Sequence, residues 1–235
     1  MPQILYPGWK INMNTYKYII DKYQIKVGSQ YIIEIPNIGR DDMAVLFKEL
    51  GFNHGAEIGV ENGYYSKVLC EANPDLKLSC IDPWLASAYE PNTHAVDTKQ
   101  EKYDNRYETA VELLKPYGVD MIKKTSAEAL DIFDDGELDF VYIDANHDFP
   151  NFTHDIHNWS KKVKEGGIIC GHDYANFSYK KHNHVKRALD AYARCYRMQP
   201  LFIIGDKNYK KGTTRDKYRS WMWVKRKGGL QLWRK

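Results

Sequence analysis

Gly55-Ala-Glu-Ile-Gly-Val-Glu-Asn-Gly63 is the stretch on which the reading of this chain turns. It opens with small and apolar residues, as a buried parallel strand does. It then passes through Gly59 and Gly63 into residues 64–73, Tyr-Tyr-Ser-Lys-Val-Leu-Cys-Glu-Ala-Asn, which read as a helix. Strand, glycine turn and helix form the entry to a nucleotide-binding βαβ unit. The glycines keep side chains out of the space where a ligand would meet backbone. A tight strand-to-helix turn with no ligand is the alternative reading of the same residues.

The spacing departs from the dinucleotide fingerprint Gly-x-Gly-x-x-Gly. Here it is Glu57-x-Gly59-x-x-x-Gly63, with Glu61 where a middle glycine would stand. A pyrophosphate would lie against Glu57 and Glu61. Like charges ~4–5 Å apart repel by roughly 3–4 kcal/mol at an effective dielectric near 20. An acidic loop suits a ligand with positive charge, and S-adenosylmethionine carries a sulfonium and an ammonium.

Outward from this stretch, strands and helices alternate. Residues 76–81 read as a second strand ending at Asp82, 120–124 as a third followed by Ser126, 138–143 as a fourth ending at Asp144, and 168–171 as a fifth ending at His172-Asp173. Helices are expected over 107–117, 127–133, 152–163 and 184–195, with Gly166-Gly167 stopping the third of these. Residues 201–204 and 220–224 read as a closing antiparallel pair. Such alternation predicts an α/β, doubly wound, mostly parallel sheet. In that architecture ligands bind outside the carboxyl ends of the strands.

Before the glycine loop the period is unclear. Residues 16–23 read as a short helix, 31–35 as a short strand, and 43–50 as a helix capped by Asp41-Asp42. The division expected is a lid or added layer over residues 1–50 and a core domain over 51–235. Residues 83–106, with Trp84, Tyr89, His94 and Asp97, form a polar insertion on the substrate side.

Composition bounds the partners. The chain has 235 residues, 43% hydrophobic and 28% charged, with a net charge of +3. These are ordinary values for a globular protein, and they do not point to nucleic acid. Basic runs at Lys210-Lys211, Arg215–Arg219 and Lys225-Arg226-Lys227 read as solvated surface. Cys70, Cys80, Cys170 and Cys195 form no Cys-x-x-Cys pair, and the expectation is reduced thiols in the cytoplasm. No apolar run approaches the ~20 residues of a membrane span. Neither a monomer nor a homo-oligomer is excluded.

The strand ends collect the chemistry. Asp82 lies 23 residues after Gly59, close to the ~20 at which an acid meets a ribose in dinucleotide folds. Alternatively Asp82-Pro83 only begins a turn. Ser126 could meet an adenine edge, or cap the next helix with Glu128. Asp144 and Asp173, at two strand ends, repel unless a proton or a cation sits between them. A hard divalent ion such as Mg²⁺ answers that problem and could lower the pKa of a substrate hydroxyl. His147, three residues past Asp144, is placed to take the proton. His154 and His157 lack a third ligand and read as surface.

Taken in order, Glu57-Ile-Gly59-Val-Glu61-Asn-Gly63, Cys80-Ile-Asp82-Pro83-Trp84, Thr125-Ser126-Ala127-Glu128, Leu138-Asp-Phe-Val-Tyr-Ile-Asp144-Ala-Asn-His147 and Gly166-Gly-Ile-Ile-Cys-Gly-His172-Asp173-Tyr174 resemble the class I S-adenosylmethionine-dependent methyltransferases. The metal-dependent macrocin and mycinamicin sugar O-methyltransferases are the branch most resembled, with catechol and caffeoyl-CoA O-methyltransferases more distant. The resemblance implies a Rossmann-like seven-stranded sheet with an antiparallel C-terminal hairpin. It implies cofactor contacts at Glu57, Gly59, Glu61, Gly63, Tyr65, Asp82, Pro83, Ser126, Ala127 and Asp144. It implies a metal, Mg²⁺ or Mn²⁺, on Asp144, His172 and Asp173, with His147 and Asp144 catalytic. The acceptor expected is a small hydroxylated molecule such as a sugar. His172 replaces the first acid of the pair found in the sugar-methylating branch, and Tyr174 follows Asp173 where catechol-type enzymes have Asn. A nicotinamide-dependent oxidoreductase on a related sheet, and an RNA-directed or non-catalytic binding protein using the basic C-terminal segment, are the competing readings.

Overall fold

The computed structural model describes residues 14–26, 28, 30–88, 99–177, 183–196, 198, 200–208 and 210–226. At its centre is β5 (Leu138–Ile143), whose residues are all buried. That is the pattern of a parallel strand covered on both faces. On one side β5 pairs parallel with β2 (His54–Ile58), which pairs with β3 (Lys77–Ile81), which pairs with β4 (Asp120–Ile122). On the other side β5 pairs parallel with β6 (Val163–Tyr174). Next comes β8 (Arg219–Val224), antiparallel to both β6 and β7 (Leu201–Ile204). The edge strand is β1 (Ile32–Ile35), parallel to β7. The sheet order is β1-β7-β8-β6-β5-β2-β3-β4. Strand order reverses between β2 and β5, and the crevice belongs at that switch point.

Side chains alternate between two cores. Phe140, Tyr142, Cys170 and Met222 face a layer made of α1 (Thr15–Lys22), α2 (Arg40–Glu49), α3 (Tyr64–Ala72) and α4 (Gln100–Leu114). Val141, Ile143, Ile169 and Trp221 face α5 (Ser126–Ala129), α6 (Phe149–Lys162) and α7 (Val185–Cys195). Helix α2 meets β5 through Phe47, stacked on Phe140 at 4.2 Å between ring centroids. Helix α6 buries Phe152, Ile156 and Trp159, spaced to form one stripe. Its cap explains its start: the Asp148 carboxylate accepts from Asn151 N at 2.9 Å, and a proline follows in the first turn.

Several expectations are corrected here. The sheet has eight strands, not seven. The eighth is β1, which the N-terminal segment adds beyond β7, so residues 32–49 supply a strand and a helix of the layered core. Helix α4 begins at Gln100, earlier than residue 107, which shortens the insertion; Tyr89, His94 and Asp97 lie outside the described residues. Gly166-Gly167 does not stop a helix. The strand starts at Val163, and its register shifts between the pairings of Leu138 and Phe140. A Cβ on Gly167 would collide with the Asp139 carbonyl oxygen, so glycine there serves close approach in a bulge.

Cys70, Cys80 and Cys170 are buried, Cys195 is exposed, and all four are free thiols. Among the described residues no helix is long and apolar enough to cross a membrane.

Candidate active site

Five strand ends carry the expected site residues, and they fall in sheet order. The register pairs Gly171 with Ile143, Ile143 with Ile58, Ile58 with Ile81, and Ile81 with Ile122. Asp173, Asp144, Gly59, Asp82 and Ser126 follow these positions along one edge. Neighbouring strands stand roughly 4.8 Å apart, so the row is about 19 Å long, enough for an extended nucleoside–amino acid.

The glycine loop is held from both sides. Gly59 N donates to Ile81 O and Asp144 N to Ile58 O, each at 2.8 Å. Gly59 has φ of 91°, and a Cβ there would collide with the backbone of Asp144. Asp82 is buried, and Val60 N and Glu61 N both donate to its Oδ2 at 3.0 Å. Its Oδ1 accepts from Trp84 N at 2.8 Å. These bonds use three of the roughly four acceptor positions of a carboxylate, leaving one for a ligand hydroxyl. Trp84 does not line the acceptor side: it is fully buried, and its indole donates to Glu61 O at 2.8 Å. Pro83 is half-buried between them.

Glu57 is more neutral than the sequence implies. Glu57 is buried and accepts a short hydrogen bond from the Ser66 hydroxyl. Burial pushes its carboxyl up to about 8, with the Ser66 bond opposing and the Asp144 charge adding to the rise. Glu61 is exposed and faces Arg106, at 3.4 Å. Gly63, at φ of 78°, leads into α3, and the buried Tyr65 donates to Arg40 O at 2.9 Å.

At β5 and β6 the acids and histidines converge. His147 Nε2 lies 2.9 Å from Asp173 Oδ2 and 3.3 Å from Asp144 Oδ1. Ligand atoms of Asp144, His147 and Asp173 all lie within 4.8 Å of one another. His172 Nδ1 stands just outside, 3.8 Å from Asp144 Oδ2 and 3.7 Å from Asp173 Oδ1. The ladder with β8 breaks between Gly171 and Tyr174, and Asp173 takes φ of 62°. A bulge of this kind interrupts strict alternation, which lets consecutive residues approach the same acid. Burial lowers the pKa of His147, but hydrogen bonds and charge from Asp144 and Asp173 outweigh it and take it up to about 10. Burial raises the Asp173 carboxyl, yet His147, His172 and Asn183 hold it below its ordinary value. An imidazolium therefore compensates the two carboxylates.

Two O-donor acids with an imidazole nitrogen nearby form a donor set that fits a divalent cation. The compact set contains His147, whereas the sequence named His172.

Ser126 is engaged elsewhere: it donates to Asp155 Oδ1 and accepts from Trp159 Nε1 at 2.7 Å. The cap of α5 is Thr125, in a capping box with Glu128. Ala127 is exposed. His157 meets Tyr192 OH at 3.2 Å and His154 lies 3.6 Å from Asp155, both away from the acid cluster. Three contributors had no motif. Asn183 donates to Asp173 Oδ2 at 3.1 Å. His184 N donates to His147 O at 2.8 Å, and its Nδ1 accepts from Phe149 N at 3.0 Å. Arg40 stacks its guanidinium on Tyr65, 4.9 Å from the ring centroid.

An open α/β sheet of this order, with a glycine loop at the switch point and acids on the neighbouring strand, defines the class I methyltransferase fold. Residues 56–174 match the Methyltransf_24 family, a methyltransferase domain, and the chain belongs to that family. This membership decides against the nicotinamide-dependent reading. None of the curated proteins matches the chain. Solved structures share the fold at low identity. The O-methyltransferase TomG from Streptomyces achromogenes, in complex with SAM, is 14% identical, with 92% of this chain and 91% of that one covered, at a TM-score of 0.51. The O-methyltransferase from Bacillus cereus, in complex with SAH, is 13% identical, with 94% of each chain covered, at 0.52. A putative caffeoyl-CoA O-methyltransferase from Staphylococcus aureus is 13% identical, covering 91% and 92%, at 0.53.

Proposed function

We propose that this methyltransferase uses S-adenosylmethionine to methylate a hydroxyl oxygen of a small acceptor such as a sugar. The observation that carries the reading is the cluster of Asp144, His147 and Asp173, set one strand from the glycine loop. Similarity of fold to O-methyltransferases whose structures hold SAM or SAH supports the cofactor.

S-adenosylmethionine supplies an activated methyl, whose bond to sulfur breaks, leaving its electron pair there, as the bond to oxygen forms. The chain's part is to align the oxygen and remove its proton. Gly59 lets the loop pack on the Asp144 backbone and Gly63 lets it pack on α4, which shapes the turn the cofactor would lie against, and the free acceptor position of Asp82 would receive a ribose hydroxyl. Glu57, Glu61, Tyr65, Pro83, Ser126 and Ala127 complete that wall as side chains or backbone. His147 takes the hydroxyl proton through its neutral form. Its imidazolium in the metal-free protein must first lose its proton, so the charge compensating Asp144 and Asp173 has to come from another source. Those two carboxylates, with His172 as the nitrogen donor, would hold Mg²⁺ or Mn²⁺, which would lower the pKa of a hydroxyl beside it.

The test combines calorimetric titration of SAH with transfer of labelled methyl to a panel of sugars and catechols, with and without chelator. His147→Ala is expected to lower turnover by about 10²- to 10⁴-fold, the usual range for a general base. Unchanged turnover in that variant removes the base. Unchanged turnover after chelation removes the cation.

A further inference from the structure

Asp173 is a buried carboxylate in a backbone conformation that side chains seldom adopt, with φ of 62°. A residue in that region persists where its surroundings over-determine it. Two sets of contacts do so here. The next residue, Tyr174, is buried in the core against α6 and α7, and its hydroxyl donates to Asp190 Oδ1 on α7 at 2.8 Å. The carboxylate itself is held by His147 and by Asn183, whose Nδ2 donates to Asp173 Oδ2 at 3.1 Å.

Asn183 and His184 stand directly before α7, and between them they reach both strand ends of the acid cluster. His184 N donates to His147 O at 2.8 Å, and its Nδ1 accepts from Phe149 N at 3.0 Å. These bonds fasten the loop after β5, which carries Asp144 and His147. Asn183 fastens the bulge of β6, which carries Asp173. The pair is mounted on the first turn of α7. Asn183 Oδ1 accepts from Val185 N at 3.3 Å, Ala188 N donates to His184 O at 2.9 Å, and Val185, Ala188 and Leu189 are buried. With its oxygen turned to Val185 N, the Asn183 amide presents N–H to the acid, so it orients the carboxylate and is not itself a ligand. It engages Asp173 Oδ2 and leaves Oδ1, which lies 3.7 Å from His172 Nδ1, to a cation.

We propose that Asn183 and His184 form a clamp that sets the spacing between Asp144 and Asp173 and fixes which oxygen of Asp173 a divalent cation meets. The inference rests on the cation reading above. Both are positioning residues, acting through Asp173 and through the loop of His147. Groups that orient metal ligands in this way are commonly worth about 10- to 100-fold in metal affinity.

The experiment titrates Mn²⁺ alone into the full chain, following loss of the free-ion electron paramagnetic resonance signal, and measures SAH affinity by calorimetry alongside. The variants are Asn183→Ser, His184→Ala and His184→Asn. Asn183→Ser keeps an acceptor for Val185 N but loses the donor to Asp173. His184→Asn puts a side-chain oxygen in the place of Nδ1 as acceptor for Phe149 N. Asn183→Ser and His184→Ala are expected to bind Mn²⁺ about 10- to 100-fold more weakly. Their SAH affinity should stay within about twofold of wild type, and His184→Asn should recover most of the lost Mn²⁺ binding. Wild-type Mn²⁺ affinity in Asn183→Ser or His184→Ala overturns the inference but leaves the cation reading intact. Equal loss of Mn²⁺ and SAH binding also overturns it, because the residues would then be supporting the fold at large. Mn²⁺ binding by His184→Asn no tighter than by His184→Ala overturns the His184 half of the clamp. Wild-type protein that binds SAH but no Mn²⁺ overturns the cation reading, and the inference with it.

Discussion

Gly59 has the least freedom to change of any residue at the switch point. Its φ of 91° and the Asp144 backbone against its Cα leave no room for a methyl group. Gly59→Ala should cost about 2–4 kcal/mol, combining backbone strain with a collision against main chain. Urea unfolding measures it, and an unchanged midpoint would contradict the close packing. Glu57 gives a prediction in pH. Its folded-state value of about 8 lies above the ordinary 4.5. The folded protein therefore keeps a proton that the unfolded chain has released. Its stabilising contribution is complete below about 4.5 and is lost as pH rises through about 8. Glu57→Gln, which cannot titrate, should remove that decline, so the wild type loses stability relative to the variant between pH 5 and 8. Parallel unfolding midpoints for the two proteins across this window would contradict the assignment. At this scale the sequence names residues well but not what they do. Asp144, His147 and Asp173 were legible because they follow apolar strands. Asp82 was legible as an acid at a strand end, but its grip on Val60, Glu61 and Trp84 depends on a loop conformation that no spacing encodes. Arg40 had no signal, since its neighbours Tyr65 and Tyr142 come from two other elements.

The elements explain which boundaries could be read. Strand β5 matched its apolar run because every residue is buried, whereas α4 hid its start in the polar run Gln100-Glu-Lys, which has no capping side chain. Gly166-Gly167 looked like a helix stop because glycine at a bulge and glycine after a helix look alike in sequence. The loop between β2 and α3 can be tested as an element. Asp82→Ala would strand three backbone N–H groups, those of Val60, Glu61 and Trp84. The expected loss is about 3 kcal/mol, given the cost of leaving buried donors unpaired. Amide exchange at Val60 and Glu61 should accelerate more than exchange in β5. Equal protection in variant and wild type would mean that the carboxylate does not hold the loop.

For the whole molecule, the added strand matters most. With β1 in place, the backbone of β7 is paired on both sides, and Leu201, Phe202, Ile203 and Ile204 are all buried. Removing residues 1–36 would turn β7 into a bare apolar edge, the kind that templates association between chains. Light scattering should then show concentration-dependent aggregates absent from the full chain, and a monodisperse truncated protein would argue that β1 protects nothing. The residues of β1 were legible as a strand, but their partner was not, because a pairing with residues some 170 positions away leaves no local trace.

The contact between Gly59 and Asp144 has a consequence for how such an enzyme can diversify. If the proposed reaction runs here, the two reactants would be spaced by one rung of the sheet, Asp144 N to Ile58 O, and not by any side chain that could be exchanged. Loops around the mouth could then be swapped to admit new alcohols, while the gap the methyl would cross stays with the backbone.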